Sequence, residues 1–175
     1  MSTISHVTGQ HALYERAAAE YGPALARLAR AYEADSEKRR DLVQEMHVAL
    51  WRSFPKFDER CSLRTWVYRV AHNTAVSWVI QQRRSRPEML VSLEEAQPVA
   101  IPPDADRGMA LDRLTELIRR LKPLDREVIL LYLEGVDAAG IGDVAGISAG
   151  NVATKIHRIK NLLARQFNAG VSHAE

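Results

Sequence analysis

One cysteine, Cys61, in 175 residues excludes an internal disulfide framework and a cysteine-rich zinc site. No stretch approaches the roughly 20 consecutive apolar residues that a membrane-spanning helix needs. The segment from Met1 to Arg16 has no basic region followed by an apolar one, so it does not have the order of a secretory leader. The cytoplasm is therefore the expected compartment. The histidines, His6, His11, His47, His72, His157 and His173, are scattered without metal-ligand spacing. His47 has Glu45 nearby but no second ligand, and reads as a surface residue. Gly-rich phosphate loops and nucleophile–base constellations are missing too. No cofactor, no metal and no catalytic residue is expected, and the chain is not read as an enzyme. Strand-like alternation is absent throughout, which leaves an all-α fold.

What is present is helical periodicity with uneven charge. Leu13, Ala17, Tyr21, Ala24, Leu25, Leu28 and Tyr32 predict a helix over about 10–32, after a frayed stretch over 1–9. Gly22-Pro23 should kink or split it, since proline removes a donor and crowds the preceding turn. Leu42, Met46, Ala49 and Leu50 predict a second helix over about 36–53, ended by Pro55. Ser62 can cap a third that reaches about Arg84. Residues 87–106 differ. Pro87, Pro98, Pro102 and Pro103 interrupt this segment, and its five acids, Glu88, Glu94, Glu95, Asp104 and Asp106, stand against no base but Arg86 just before it. It reads as a flexible acidic linker between two small helical domains, 10–86 and 107–168. In the second domain Leu111, Leu114, Leu117, Ile118 and Leu121 form a stripe. Pro123 opens a helix and Gly135 closes it. A short helix over 138–145, the turn Gly146-Ile147-Ser148 and a last helix ending near Phe167 complete the chain.

Two stretches point to nucleic acid. From Ser62 through Arg86 there is no acidic residue, and Arg64, Arg69, Arg83 and Arg84 share a helix with Trp66, Tyr68 and Trp78. Cations that follow phosphates and rings that stack on bases suit single-stranded nucleic acid. The same pattern also fits a core helix with buried aromatics and solvated arginines. Residues 138–160 have the layout of a helix-turn-helix, whose second helix enters the major groove. Its outward residues would be Asn151, Thr154, Lys155, His157, Arg158 and Lys160. Every charge from Val144 to Asn168 is positive, as a phosphate-lined groove requires. Arg158 suits bidentate reading of guanine, and Thr154 and His157 suit neighbouring bases. A plain helical hairpin with a solvated basic face is the competing reading. Gly140 and Gly142 each disfavour the first helix of the motif by about 1 kcal/mol against alanine.

Taken together, the chain over roughly 10–168 resembles the extracytoplasmic-function sigma factors, the minimal members of the main bacterial sigma family. Three stretches carry the resemblance. Asp41-Leu42-Val43-Gln44-Glu45 with Ala49-Leu50-Trp51 is similar to the family segment that docks on core RNA polymerase. Phe57-Asp58 followed by Ser62 through Asn73 is similar to its promoter-melting segment. Gly146 through Val152, with His157-Arg158, is similar to its upstream-element reader.

The resemblance implies an initiation factor with a region 2 domain and a region 4 domain. Asp41, Gln44, Glu45 and Trp51 would bind core polymerase. Phe57, Arg60, Ser62, Arg64, Trp66, Tyr68, Asn73, Trp78, Arg83 and Arg84 would melt and hold the minus-ten element, including its single-stranded non-template strand. The six helix-turn-helix residues would read the duplex minus-35 element. An anti-sigma factor is an implied partner. The alternative is a stand-alone helix-turn-helix regulator, which would leave Asp41–Arg84 without a use. Three departures stand out. Asp58-Glu59-Arg60 replaces the family's basic residue and glycine. Gly140 and Gly142 replace its usual Glu and Ala. Ala153 sits where a basic residue is common.

Overall fold

In a computed structural model, backbone is described for residues 2–85 and 107–172, with side chains for 9–82 and 107–168. The expected linker over 87–106 and the side chains of Arg83 and Arg84 lie outside these residues. The described elements are all helical, and the chain divides into two compact units, Met1–Ser85 and Arg86–Glu175. No described helix is long and apolar enough to cross a membrane.

Unit 1 holds α1 (Ser2–Tyr32), α2 (Ser36–Ser53), a 3-10 turn (Phe54–Lys56) and α3 (Leu63–Ser85). Each helix offers one apolar stripe at i, i+4 spacing. Ala17, Tyr21, Leu25 and Leu28 meet Leu42, Met46 and Leu50, and Val67, Tyr68, Ala71 and Ala75 close the core. Burying a leucine or methionine completely contributes about 1.5–3 kcal/mol, so these positions hold the unit together. The helix ends are chemically marked. The Asp35 carboxylate accepts from the backbone N–H groups of Glu37 (2.9 Å) and Lys38 (3.0 Å). Ser62 Oγ accepts from Thr65 N–H at 3.0 Å.

Two expectations fail in α1. The helix starts at Ser2 rather than near Gln10, and it passes through Pro23 without a break. Pro23 and Ala19 both lie on the exposed side. The carbonyl that proline leaves without a donor can therefore be met by water, and the buried stripe on the other side keeps the helix continuous. His47 is also not a plain surface residue. It is half-buried, with Nδ1 3.2 Å from Tyr14 Oη and the two rings edge to face. Burial pushes its pKa below the ordinary histidine value.

Unit 2 holds α4 (Arg107–Arg119), α5 (Pro123–Leu133), α6 (Ala138–Ala145) and α7 (Ala149–Ser172). The last helix runs further than the expected end near Phe167. The buried Arg126 side chain donates from Nη2 to the carbonyls of Arg119 and Leu121 (the latter at 3.1 Å) and so closes the end of α4. Gly135, at φ +71°, turns the chain after α5. Val136 N–H returns to Leu131 O at 3.0 Å, the long bond of a glycine-terminated helix.

Gly142 explains why the motif's first helix tolerates a poor helix former. A Cβ there would stand 2.6 Å from Ile147 O in the turn backbone. The turn is drawn in against α6 more tightly than any residue with a Cβ permits. Gly142→Ala would gain about 1 kcal/mol of helix propensity. The forced shift of the turn would cost about 1–3 kcal/mol. The substitution is therefore expected to lower, not raise, the thermal stability of unit 2. Circular-dichroism melting of the full chain would read this, and a raised midpoint would contradict it.

Candidate functional site

The solvent face of α2 carries one group of expected residues. Asp41, Gln44 and Glu45 are exposed, opposite the buried Leu42, Met46 and Leu50. Trp51 extends this face and is 44% exposed, while its backbone carbonyl accepts from Gln10 Nε2 at 2.7 Å. Acids beside an exposed indole on a rigid helix can take a basic, amphipathic partner helix.

The second group gathers at the start of α3. The Trp66 ring lies against Phe57, with centroids 5.4 Å apart, and Phe57 stands edge-on to Phe54 at 6.5 Å. Trp66 Nε1–H donates to Ser53 Oγ at 2.9 Å. These rings seat the loop between the 3-10 turn and α3. Within that loop Arg60 Nε lies 2.5 Å from Asp58 Oδ2, and the arginine holds the Asp58 carboxyl below its ordinary pKa. Both partners are exposed, so solvent and salt screen the pair and it contributes little to stability. Glu59 has φ +59°. A left-handed conformation disfavours any residue with a Cβ by about 1–2 kcal/mol, and here it falls on a glutamate in this loop.

The rest of the group divides by helix face. Trp66, Arg69, Asn73, Ser77 and Ile80 recur at three- and four-residue spacing on one side of α3, and Asn73, Ser77 and Ile80 are exposed. Ser77 and Ile80 were missed from the sequence, although their spacing from Asn73 would have found them. Tyr68 is a correction. It is 2% exposed, packs edge-on against Tyr21 at 6.1 Å, and has Arg64 over its ring at 6.0 Å. Its place one turn from Ala71 and two turns from Ala75 puts it in the core, so it cannot stack on a base. Trp78 is half-buried on a flank, where its indole N–H donates to Glu33 Oε2 at 3.1 Å.

The third group lies on α7. Asn151, Thr154, His157 and Arg158 are exposed around the outer face. His157 Nε2 is 3.0 Å from Asn161 Nδ2, and Thr154 Oγ1 bonds back to Gly150 O at 3.2 Å. Lys160 is exposed one turn beyond His157, with Nζ 5.6 Å over the ring of Tyr132 on α5. Lys155 and Arg158 share a carboxylate that sequence reasoning did not find. Asp125, in the first turn of α5, accepts from Lys155 Nζ at 2.7 Å through Oδ1 and from Arg158 Nη2 through Oδ2. The Asp125 side chain is only 5% exposed, while Arg158 remains 53% exposed. A carboxylate this covered needs cations beside it, and Lys155 and Arg158 supply them together.

Comparison with known proteins places both units. Sigma-70 region 2 matches residues 17–85, and Sigma-70, region 4 matches residues 111–163. The chain is 28% identical to the ECF RNA polymerase sigma factor SigW of Bacillus subtilis, across 73% of this chain and 74% of that protein. It is 30% identical to the ECF RNA polymerase sigma factor SigC of Mycobacterium tuberculosis, across 76% of this chain and 72% of that protein. Among solved structures, the sigma factor RpoE of Bartonella quintana, in complex with the anti-sigma factor NepR, superposes with a TM-score of 0.69 at 21% identity. That superposition covers 89% of this chain and 96% of RpoE. CnrH, in complex with the cytosolic domain of CnrY, gives 0.68 at 23% identity over 95% and 94% of the two chains. At these identities the two structures speak for the fold.

Proposed function

Since the chain belongs to the extracytoplasmic-function sigma factors of the main bacterial sigma family, we propose that its two units divide promoter recognition between them. It is a transcription initiation factor that binds core RNA polymerase and directs it to promoters. Unit 1 takes the polymerase through Asp41, Gln44, Glu45 and Trp51 and opens the minus-ten element at the Phe57–Ser62 loop and the Trp66–Asn73 face. Arg60, Arg64 and Trp78, with Arg83 and Arg84 beyond them, follow the single-stranded non-template strand. Unit 2 reads the minus-35 duplex through Asn151, Thr154, His157 and Arg158. An anti-sigma factor is its inhibitory partner. It works in the cytoplasm, where polymerase is, and carries no catalytic chemistry or cofactor of its own.

The observation that supports this reading best is the pairing of both sigma matches in one chain, in order, each on its own compact unit. A stand-alone regulator would need only the second. Run-off transcription with purified core polymerase over a random promoter library tests the reading. Initiation from a subset of sequences with two separated motifs is expected. Failure to bind core polymerase in a pull-down would sink it.

A further inference from the structure

The inference rests on the reading of unit 2 as the upstream-element reader. Asp125 stands behind the reading helix. It is buried, it carries a charge opposite to everything the helix presents, and it reaches α7 from α5 across 30 residues of sequence. Its two oxygens are divided between two neighbours one turn apart, Oδ1 to Lys155 and Oδ2 to Arg158. Its place in the first turn of α5 lets the partial positive charge of the helix start favour the carboxylate. Lys155 is mostly covered, but Arg158 keeps more than half of its side chain exposed. A guanidinium has five N–H donors in a rigid fork. One edge can rest on Asp125 while another is presented outward.

We propose that Asp125 is a positioning residue for the DNA-reading helix: it holds the Arg158 guanidinium in one orientation toward the groove and withdraws Lys155 from phosphate binding. Two consequences follow from the physics of the pair. An anchored Arg158 loses less freedom when it meets a base, so the correct sequence is favoured. A withdrawn Lys155 adds nothing to sequence-independent attraction, so wrong sequences are not rescued by charge. Unit 2 thereby gains discrimination and gives up general affinity, which suits a reader already delivered to DNA by polymerase.

The test is Asp125→Asn in the full chain, assembled with core polymerase. The probes are promoter duplexes selected by the wild-type holoenzyme and the same duplexes with the upstream element scrambled, each measured across a salt series. Each cation released to a phosphate steepens the slope of log K against log salt by about 0.9. The variant is expected to steepen the slope by roughly 1–2 and to bind scrambled duplex more tightly. Its preference for the selected duplex should fall about tenfold, which is about 1.4 kcal/mol. A lowered melting temperature with slope and preference unchanged would make Asp125 a merely structural residue and overturn the proposal. If Asp125→Asn does not fold, Asp125→Asn with Lys155→Met removes the carboxylate together with one of its cations. That pair should lose the same preference, and a retained preference would overturn the proposal equally. A wild-type holoenzyme indifferent to scrambling would instead remove the reading of unit 2 on which the inference stands.

Discussion

Trp66→Ala is expected to abolish most promoter opening while leaving recognition of the upstream duplex intact. The indole holds together four pieces of unit 1. Its ring supports Phe57 at 5.4 Å, and its N–H donates to Ser53 Oγ at the end of α2. Ser53 Oγ in turn bonds to Leu50 O at 2.8 Å, within the core of α2. Phe57 leans on the buried Phe54 of the 3-10 turn. Truncation to alanine removes the platform and the donor at once. Because Trp66 is half-buried, the loss of stability should be roughly 2–3 kcal/mol, below the 3–5 kcal/mol of a fully buried aromatic. The Phe57–Ser62 loop would lose its seat, and with it the surface for an extruded base. Stacking of a base on an aromatic surface is worth about 1–3 kcal/mol, so the open complex should fall about 10- to 100-fold. Trp66→Phe keeps the ring and drops only the hydrogen bond, a loss of about 1 kcal/mol, and should be intermediate. A fluorescent base analogue at the minus-ten element measures opening, and a duplex ending upstream of it measures binding. Equal loss in both would contradict the division of labour between the units.

How far such effects were legible beforehand depends on whether the cause is local. The span of α2 could be read because its apolar stripe is regular and Pro55 stops it, and the span of α5 because Pro123 and Gly135 sit at its ends. Ser148, in the turn before α7, caps that helix, with Asn151 N–H 3.3 Å from its Oγ. These are contacts within three or four residues, and sequence carries them directly. Pro23 misled because a proline's effect depends on which side of the helix faces water, and that is decided by the packing of α2 and α3. Tyr68 misled for the same reason: in a helix rich in arginine, an aromatic fits the core stripe and the DNA stripe equally well until Ala71 and Ala75 fix the direction of the core. Asp125 had no local signal at all. It looks like an ordinary first-turn acid, and only the folded hairpin of α5 and α7 shows that it takes two cations from the reading helix. Gly142 was visible as an oddity, and its cause, the close approach of Ile147 O, was not.

Acid is expected to unfold unit 1 through His72. This side chain is 0% exposed, with Nδ1 3.1 Å from the Tyr32 hydroxyl. No group among the described residues reaches Nε2. An imidazolium would need acceptors for both N–H groups and would find one at most. Burial accordingly pushes the pKa from 6.5 down to about 3. The unfolded chain takes up a proton near pH 6.5 and the folded one does not, so stability is complete above that pH. It declines as the pH falls toward 3 and is level below it. At pH 5 the loss should be about 2 kcal/mol, from 1.36 kcal/mol per pH unit. His72→Leu separates this effect from the packing of the ring. The variant loses the Tyr32–His72 hydrogen bond and should be about 1 kcal/mol less stable at pH 8, but its stability should hardly change between pH 8 and pH 5. The wild-type and variant curves should therefore approach each other as the pH falls through that range. Trp51, Trp66 and Trp78 all lie in unit 1, so tryptophan fluorescence during urea unfolding reports this unit alone. A wild-type midpoint that stays constant from pH 8 to pH 5 would mean that His72 finds a second acceptor when protonated.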